Sequence, residues 1–228
     1  MNLAEAKRLE IPERAQSALQ GAIEAWTYQP ASQICDHGGQ CCAVAREWFF
    51  AMDRSHTPSK EPLTGPRWIR QRVTWGPSHW PLFWCEAMTA KTLDCGALAA
   101  LAQDAFRARG IDAHPVQLIQ QFTSADGGHW GCSWERAEVA STWIRNDLVY
   151  HEACAVITRN SEMRIWDPTA SWWINPRHVS GYSGALALRV IVESKADVPF
   201  RWGAHQVFPN EWQPLPYRDT PRLEAIAA

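Results

Sequence analysis

Residues 148–168, LVYHEACAVITRNSEMRIWDP, decide the fold. Leu148 to Thr158 reads as a strand whose alternation sets Val149, His151, Ala153 and Ala155 on one face. RNSE, residues 159–162, is a turn, and MRIW, residues 163–166, returns as a second strand. Asp167-Pro168 ends that strand, because proline cannot donate to a ladder. An antiparallel hairpin of this kind brings His151 and Asp167 to within one or two positions of facing each other, and such neighbours can share a hydrogen bond.

Upstream, residues 92–111 read TLDCGALAALAQDAFRARGI. Thr92 and Asp94 are N-cap types, Leu98, Leu101, Ala102, Ala105 and Phe106 make an apolar stripe, and Gly110 stands where a helix stops. Cys95 falls in the first turn, where the macrodipole and free amide groups favour a thiolate. Between helix and hairpin, AHPVQLIQQF (113–122) reads as a strand and DGGHWG (126–131) as a loop; GALALRVIVES (184–194) is a last strand. Nearer the N-terminus, helices are expected over residues 12–26 and 41–52, with a short strand in WIRQRVTW (68–75). The fold class is α+β, an antiparallel sheet with the Cys95 helix packed against it.

The composition narrows the functional classes. The chain has 228 residues, 46% of them hydrophobic, which is enough for one globular domain over 1–228 with its core at about 85–194. A net charge of -2 without basic or acidic blocks argues against a nucleic-acid partner or a polybasic membrane anchor. The charged first thirty residues and the lack of a long apolar run predict neither a signal peptide nor a membrane span, hence a cytoplasmic protein with no membrane association. Seven cysteines, an odd number, fit reduced thiols. Fourteen tryptophans imply a dense aromatic core or an aromatic-lined cleft.

A thiolate nucleophile needs an imidazole in contact, and the imidazole needs an orienting carboxylate. Cys95, His151 and Asp167 supply these in order. In the contexts DCGALAALAQDAFRARGIDAHPV, VYHEACAVI and RIWDPTA, they resemble the transglutaminase-like branch of the papain-like cysteine enzymes. The resemblance covers about residues 93–170. It implies a papain-like fold, a Cys-His-Asp triad, no metal or other cofactor, and a protein, peptide or small acyl substrate. The implied chemistry is acyl transfer through an acyl-enzyme on Cys95, of protease, amidase or deamidase type. Amide-forming acyl transfer in a biosynthetic pathway is the alternative within the enzymes, and a catalytically silent binding module the alternative outside them.

This chain departs from the family pattern after the histidine, where Glu152 and Ala153 follow; a His-Trp pair stands instead at His129 and Trp130. Cys95, His129 and Asp147 therefore form a rival triad, although the DGGHWG loop suits a substrate gate better. Trp80 and Trp84 are candidate oxyanion donors through their indoles. Cys41, His79 and Asp94 show the order and spacing of arylamine N-acetyltransferases, but lack a strand-end aspartate. Cys35, His37, Cys41 and Cys42 are ligand types suited to zinc; their spacing matches no standard finger or ribbon, so they read as a buried thiol cluster beside a glycine turn.

Overall fold

A computed structural model describes residues 20–21, 23–24, 32–33, 35, 38–56, 63–76, 82–121, 144–145, 148–176, 185–193 and 198–215. In chain order the elements are β1 (Ser32–Gln33), α1 (Gln40–His56), α2 (Trp68–Arg72), β2 (Thr74–Trp75), β3 (Leu82–Phe83), α3 (Trp84–Ala87), β4 (Thr92–Leu93) and α4 (Cys95–Ala108). There follow β5 (Asp112–Gln121), β6 (Ile144–Arg145), β7 (Leu148–Ile157), β8 (Met163–Asp167), β9 (Trp172–Ile174), β10 (Ala185–Val190), β11 (Phe200–Trp202), β12 (His205–Val207) and β13 (Gln213–Pro214). The protein is α+β. Its main sheet is seven-stranded and antiparallel, in the order β13-β10-β5-β7-β8-β9, with β6 pairing β7.

Alternation along β7 divides the core in two. Cys154 and Val156, with Trp166 of β8 and Ala113 of β5, pack under Ala97, Leu98, Leu101, Ala102 and Phe106 of α4. Ala153 and Ala155, with Ile165, Val116 and Leu188, face the other way, onto Phe200, Trp202 and Val207 of the β11–β12 hairpin. Each strand of the central pair is thus buried on both faces, as in a sheet covered by a layer on either side. Among the described residues tryptophan serves mainly as core: Trp68, Trp84, Trp166, Trp202 and Trp212 are buried, whereas Trp48 and Trp172 are exposed.

The helices gather on the α4 side. α1 begins after Gly38 and Gly39, both at positive φ, and runs four residues beyond the expected Met52. Of the helix expected over residues 12–26, residues 20, 21, 23 and 24 are described and are helical. WIRQRVTW departs from expectation, because Trp68–Arg72 is helical and only Thr74–Trp75 is a strand. The reason is burial: Trp68 and Ile69 are both buried, and a strand would send adjacent side chains to opposite faces. Ile69 N–H bonds to the Pro66 carbonyl, and Val73 N–H to that of Ile69. Just before, Gly65 lies flat on the Trp166 indole, where any Cβ would clash.

Asp53 ties this layer together. Buried on α1, it accepts from Trp68 Nε1 at 2.8 Å and from Arg109 Nε and Nη2, each at 2.6 Å, while Arg109 Nη1 reaches the Thr64 carbonyl at 2.5 Å. A bidentate guanidinium at the end of α4 also suits the carbonyl pole of that helix. Asp53→Ala would leave the guanidinium and an indole N–H without this partner, a loss of about 3–5 kcal/mol for a buried pair. Urea unfolding measures it; a change below about 1 kcal/mol would show that Asp53 is not the tie.

Candidate functional site

Cys95 opens α4 as its first residue. Asp94 is the N-cap, with extended backbone and a side chain that accepts from Ala97 N–H at 2.8 Å, while its carbonyl takes Leu98 N–H. The amides of Cys95 and Gly96 remain at the helix mouth as donors for an incoming anion.

β7 and β8 hold the other two groups. The ladder pairs Cys154 with Trp166, which puts Ala153 opposite Asp167 and His151 two positions further on the same face. His151 Nε2 and Asp167 Oδ2 are 3.0 Å apart, both residues buried. The second oxygen of Asp167 accepts from Thr169 N–H at 2.7 Å, an Asx turn through Pro168 that locks the carboxylate. The diagonal hydrogen bond expected from the hairpin is therefore present.

The β7–β8 pairing ends at Cys154, and two residues earlier the backbone N–H of Glu152 acts on the Cys95 thiol, so the start of α4 comes close to this stretch of β7.

Electrostatics reverse one expectation. The helix start should favour a thiolate, yet the Cys95 pKa is raised well above its ordinary value. Burial of the sulfur is the largest cause, followed by the charges of Asp94, Glu152 and Asp167; only the Glu152 amide works the other way. A helix end is worth roughly 0.3–1 kcal/mol, too little to offset desolvation and the neighbouring negative charge of Asp94 and Asp167. In the resting site Cys95 is a thiol.

Sequence reasoning missed the polar chain beneath it. Arg189 Nε donates to Gln117 Oε1 at 2.7 Å, Gln117 Nε2 to the Tyr150 hydroxyl at 2.8 Å, and that hydroxyl to Glu152 in a short hydrogen bond. Glu152 and Gln117 are buried directly opposite each other across β7 and β5. Burial pushes the Glu152 carboxyl up to about 8, against the pull of Tyr150 and with the help of Asp94. The available signal was parity: Tyr150, Glu152 and Gln117 are polar at strand positions where Cys154 and Val156 are apolar.

The remaining candidates fall elsewhere. Trp84 packs its indole against Phe49, with Arg46 over the ring, so its described role is in the core. Trp80, His129, Trp130, His79 and Asp147 lie outside the described residues. Cys41 stands among other thiols, with Cys35 Sγ 2.9 Å away, and Asp94 caps α4; neither arrangement favours the acetyltransferase-like order. Among the described helices none is long and apolar enough to cross a membrane. No family model, curated protein or solved structure matches the chain.

Glu152 sets a pH dependence. Its folded pKa of about 8 exceeds the ordinary 4.5, so between those values the folded protein holds a proton that the unfolded chain has lost. Stability contributed by that proton is complete below the lower value and falls as pH rises through the upper one, by up to about 1.4 kcal/mol per pH unit. From pH ~5.5 to ~7.5 the wild type should lose roughly 2 kcal/mol relative to Glu152→Gln in chemical unfolding. Parallel profiles for the two proteins would show that the carboxyl titrates normally.

Proposed function

We propose that the protein is a cysteine-dependent acyl-transfer enzyme of transglutaminase-like, papain-related type, cleaving an amide, ester or thioester through an acyl-enzyme on Cys95. The observation that carries this reading is a histidine bonded at 3.0 Å to a buried aspartate on the β7–β8 hairpin, with the helix-opening Cys95 near enough for the Glu152 amide and the Asp167 charge to act on its thiol.

Asp167 takes Nε2 of His151, which assigns the other ring nitrogen, Nδ1, to the Cys95 proton. Because the resting group is a thiol, proton removal accompanies attack instead of preceding it. The S–H proton passes to Nδ1 as sulfur bonds to the substrate carbonyl carbon, and the carbonyl electron pair moves onto oxygen. The Cys95 and Gly96 amides at the helix mouth then face the oxyanion. Collapse expels the amine, alcohol or thiol, which takes the proton from His151 and leaves a thioester on Cys95. Water, deprotonated by the same imidazole, releases the acid and restores the thiol. Asp167 holds the tautomer and stabilises the imidazolium.

A limiting aryl thioester near neutral pH, followed by peptide mass spectrometry, should acylate Cys95 ahead of the other cysteines, because His151 takes the thiol proton only as a carbonyl is attacked. His151→Ala should slow that reaction by about 10²-fold or more. All cysteines reacting alike, at free-thiol rates and unchanged by His151→Ala, would favour a silent binding module.

A further inference from the structure

We propose that Cys35, Cys41, Cys42 and Cys85 bind a single tetrahedral zinc ion that fastens the N-terminal segment to the α1 and α3 layer. The four sulfurs lie within 4.8 Å of one another. Cys35 precedes the Gly38-Gly39 turn, Cys41 and Cys42 sit in the first turn of α1, and Cys85 is in α3. Four of the six described cysteines, brought from three separate segments, converge on one point. Buried cysteines used only for packing have no reason to meet in this way.

The dimensions select the occupant. Four sulfurs about 2.3 Å from a central ion stand about 3.8 Å apart. The Cys42–Cys85 edge is 3.7 Å, and the Cys35–Cys41 edge, at 2.9 Å, is the one an ion would spread. A polynuclear iron–sulfur cluster needs cysteines further apart than these, whereas tetrahedral thiolate sites of single-ion size suit zinc. The amide of Cys35 donates to Cys42 Sγ at 3.4 Å, the kind of outer contact that supports a coordinated thiolate. Positive φ at Gly38 and Gly39, 75° and 73°, turns the chain between the Cys35 and Cys41 ligands. The sequence alone favours a buried thiol cluster for Cys35, Cys41 and Cys42; among the described residues Cys85, distant in the chain, completes the set, while His37 lies outside them.

Four protein ligands close the coordination sphere, so the ion is structural and leaves no position for substrate. Each thiol gives up its proton to solvent as it binds. The anchored α1 contacts the nucleophile helix through Arg46 and Asp104, 3.2 Å apart, so the ion steadies α4 from behind without touching Cys95.

Full-length protein, made without a metal-affinity tag and kept reduced, should carry about one zinc per chain by elemental analysis. Exchange into cobalt(II) should give the intense visible bands and thiolate charge transfer of a tetrahedral sulfur site. Cys95→Ala should keep the metal. Cys41→Ser/Cys85→Ser should lose it, and Cys85→His, which preserves a zinc ligand, should retain it even if the serine variant folds poorly. Iron in place of zinc, a Cys35–Cys41 disulfide in freshly reduced-handled protein, or reduced folded protein that takes up no zinc or cobalt on dialysis would each overturn the assignment.

Discussion

Ten consecutive register pairs join β5 to β7, from Asp112 opposite Ile157 to Gln121 opposite Leu148, and everything that positions the site hangs on them. Because alternation in a strand has period two, this pairing sends Cys154 and Val156 toward α4 and Ala153 and Ala155 toward the β11–β12 hairpin; a slip of one residue would exchange the two cores. At the far end of β7 the same parity sends Glu152 and Tyr150 to the α4 side and His151 to the other. β8 stops pairing at Trp166, and just beyond that point Glu152 of β7 acts on the Cys95 thiol.

The charge around Cys95 gives this arrangement a definite chemical character. Three acidic side chains act on the Cys95 thiol, and one of them, Glu152, holds its proton up to about pH 8. Below that pH the thiol feels Asp94 and Asp167 alone. Above it a third negative charge appears, fixed in place by Tyr150, Gln117 and Arg189. In the proposed reaction such a site keeps its thiol protonated at rest and relies on His151 to take the proton when a carbonyl arrives. It differs from sites in which a preformed thiolate and imidazolium stand ready before substrate binds. The buried polar chain is also a constraint on the fold, since each member satisfies the next and removing one would strand its neighbours.

Much of the site was legible because its signals are local. Asp94 announces a helix start, Gly110 its end, and Asp-Pro the end of a strand, so the positions of Cys95 and Asp167 follow from a few neighbouring residues. The turn between β7 and β8 then fixed the approach of His151 to Asp167, since a hairpin with a short turn has little freedom of register. What was not legible depends on contacts distant in sequence. Glu152 read as a departure from a family pattern, and only Gln117 of β5 and Arg189 of β10 reveal it as part of a buried network. Cys85 read as one more thiol; its meeting with Cys42 across 43 positions needs α3 folded against α1. Trp68–Arg72 looked like a strand by residue type, and tertiary burial of two adjacent side chains made it helical.

The central claim is that Cys95, His151 and Asp167 act together on an acyl carbon. Stopped-flow reaction with p-nitrophenyl acetate, followed by quenching and peptide mass spectrometry, addresses it most directly. The account predicts a burst of nitrophenol approaching about one equivalent per chain, with the acetyl group on Cys95. It also predicts a burst rate that falls by about 10²-fold or more in His151→Ala and in Asp167→Ala. Acetylation spread over several cysteines, or a Cys95 rate that neither substitution alters, would contradict it.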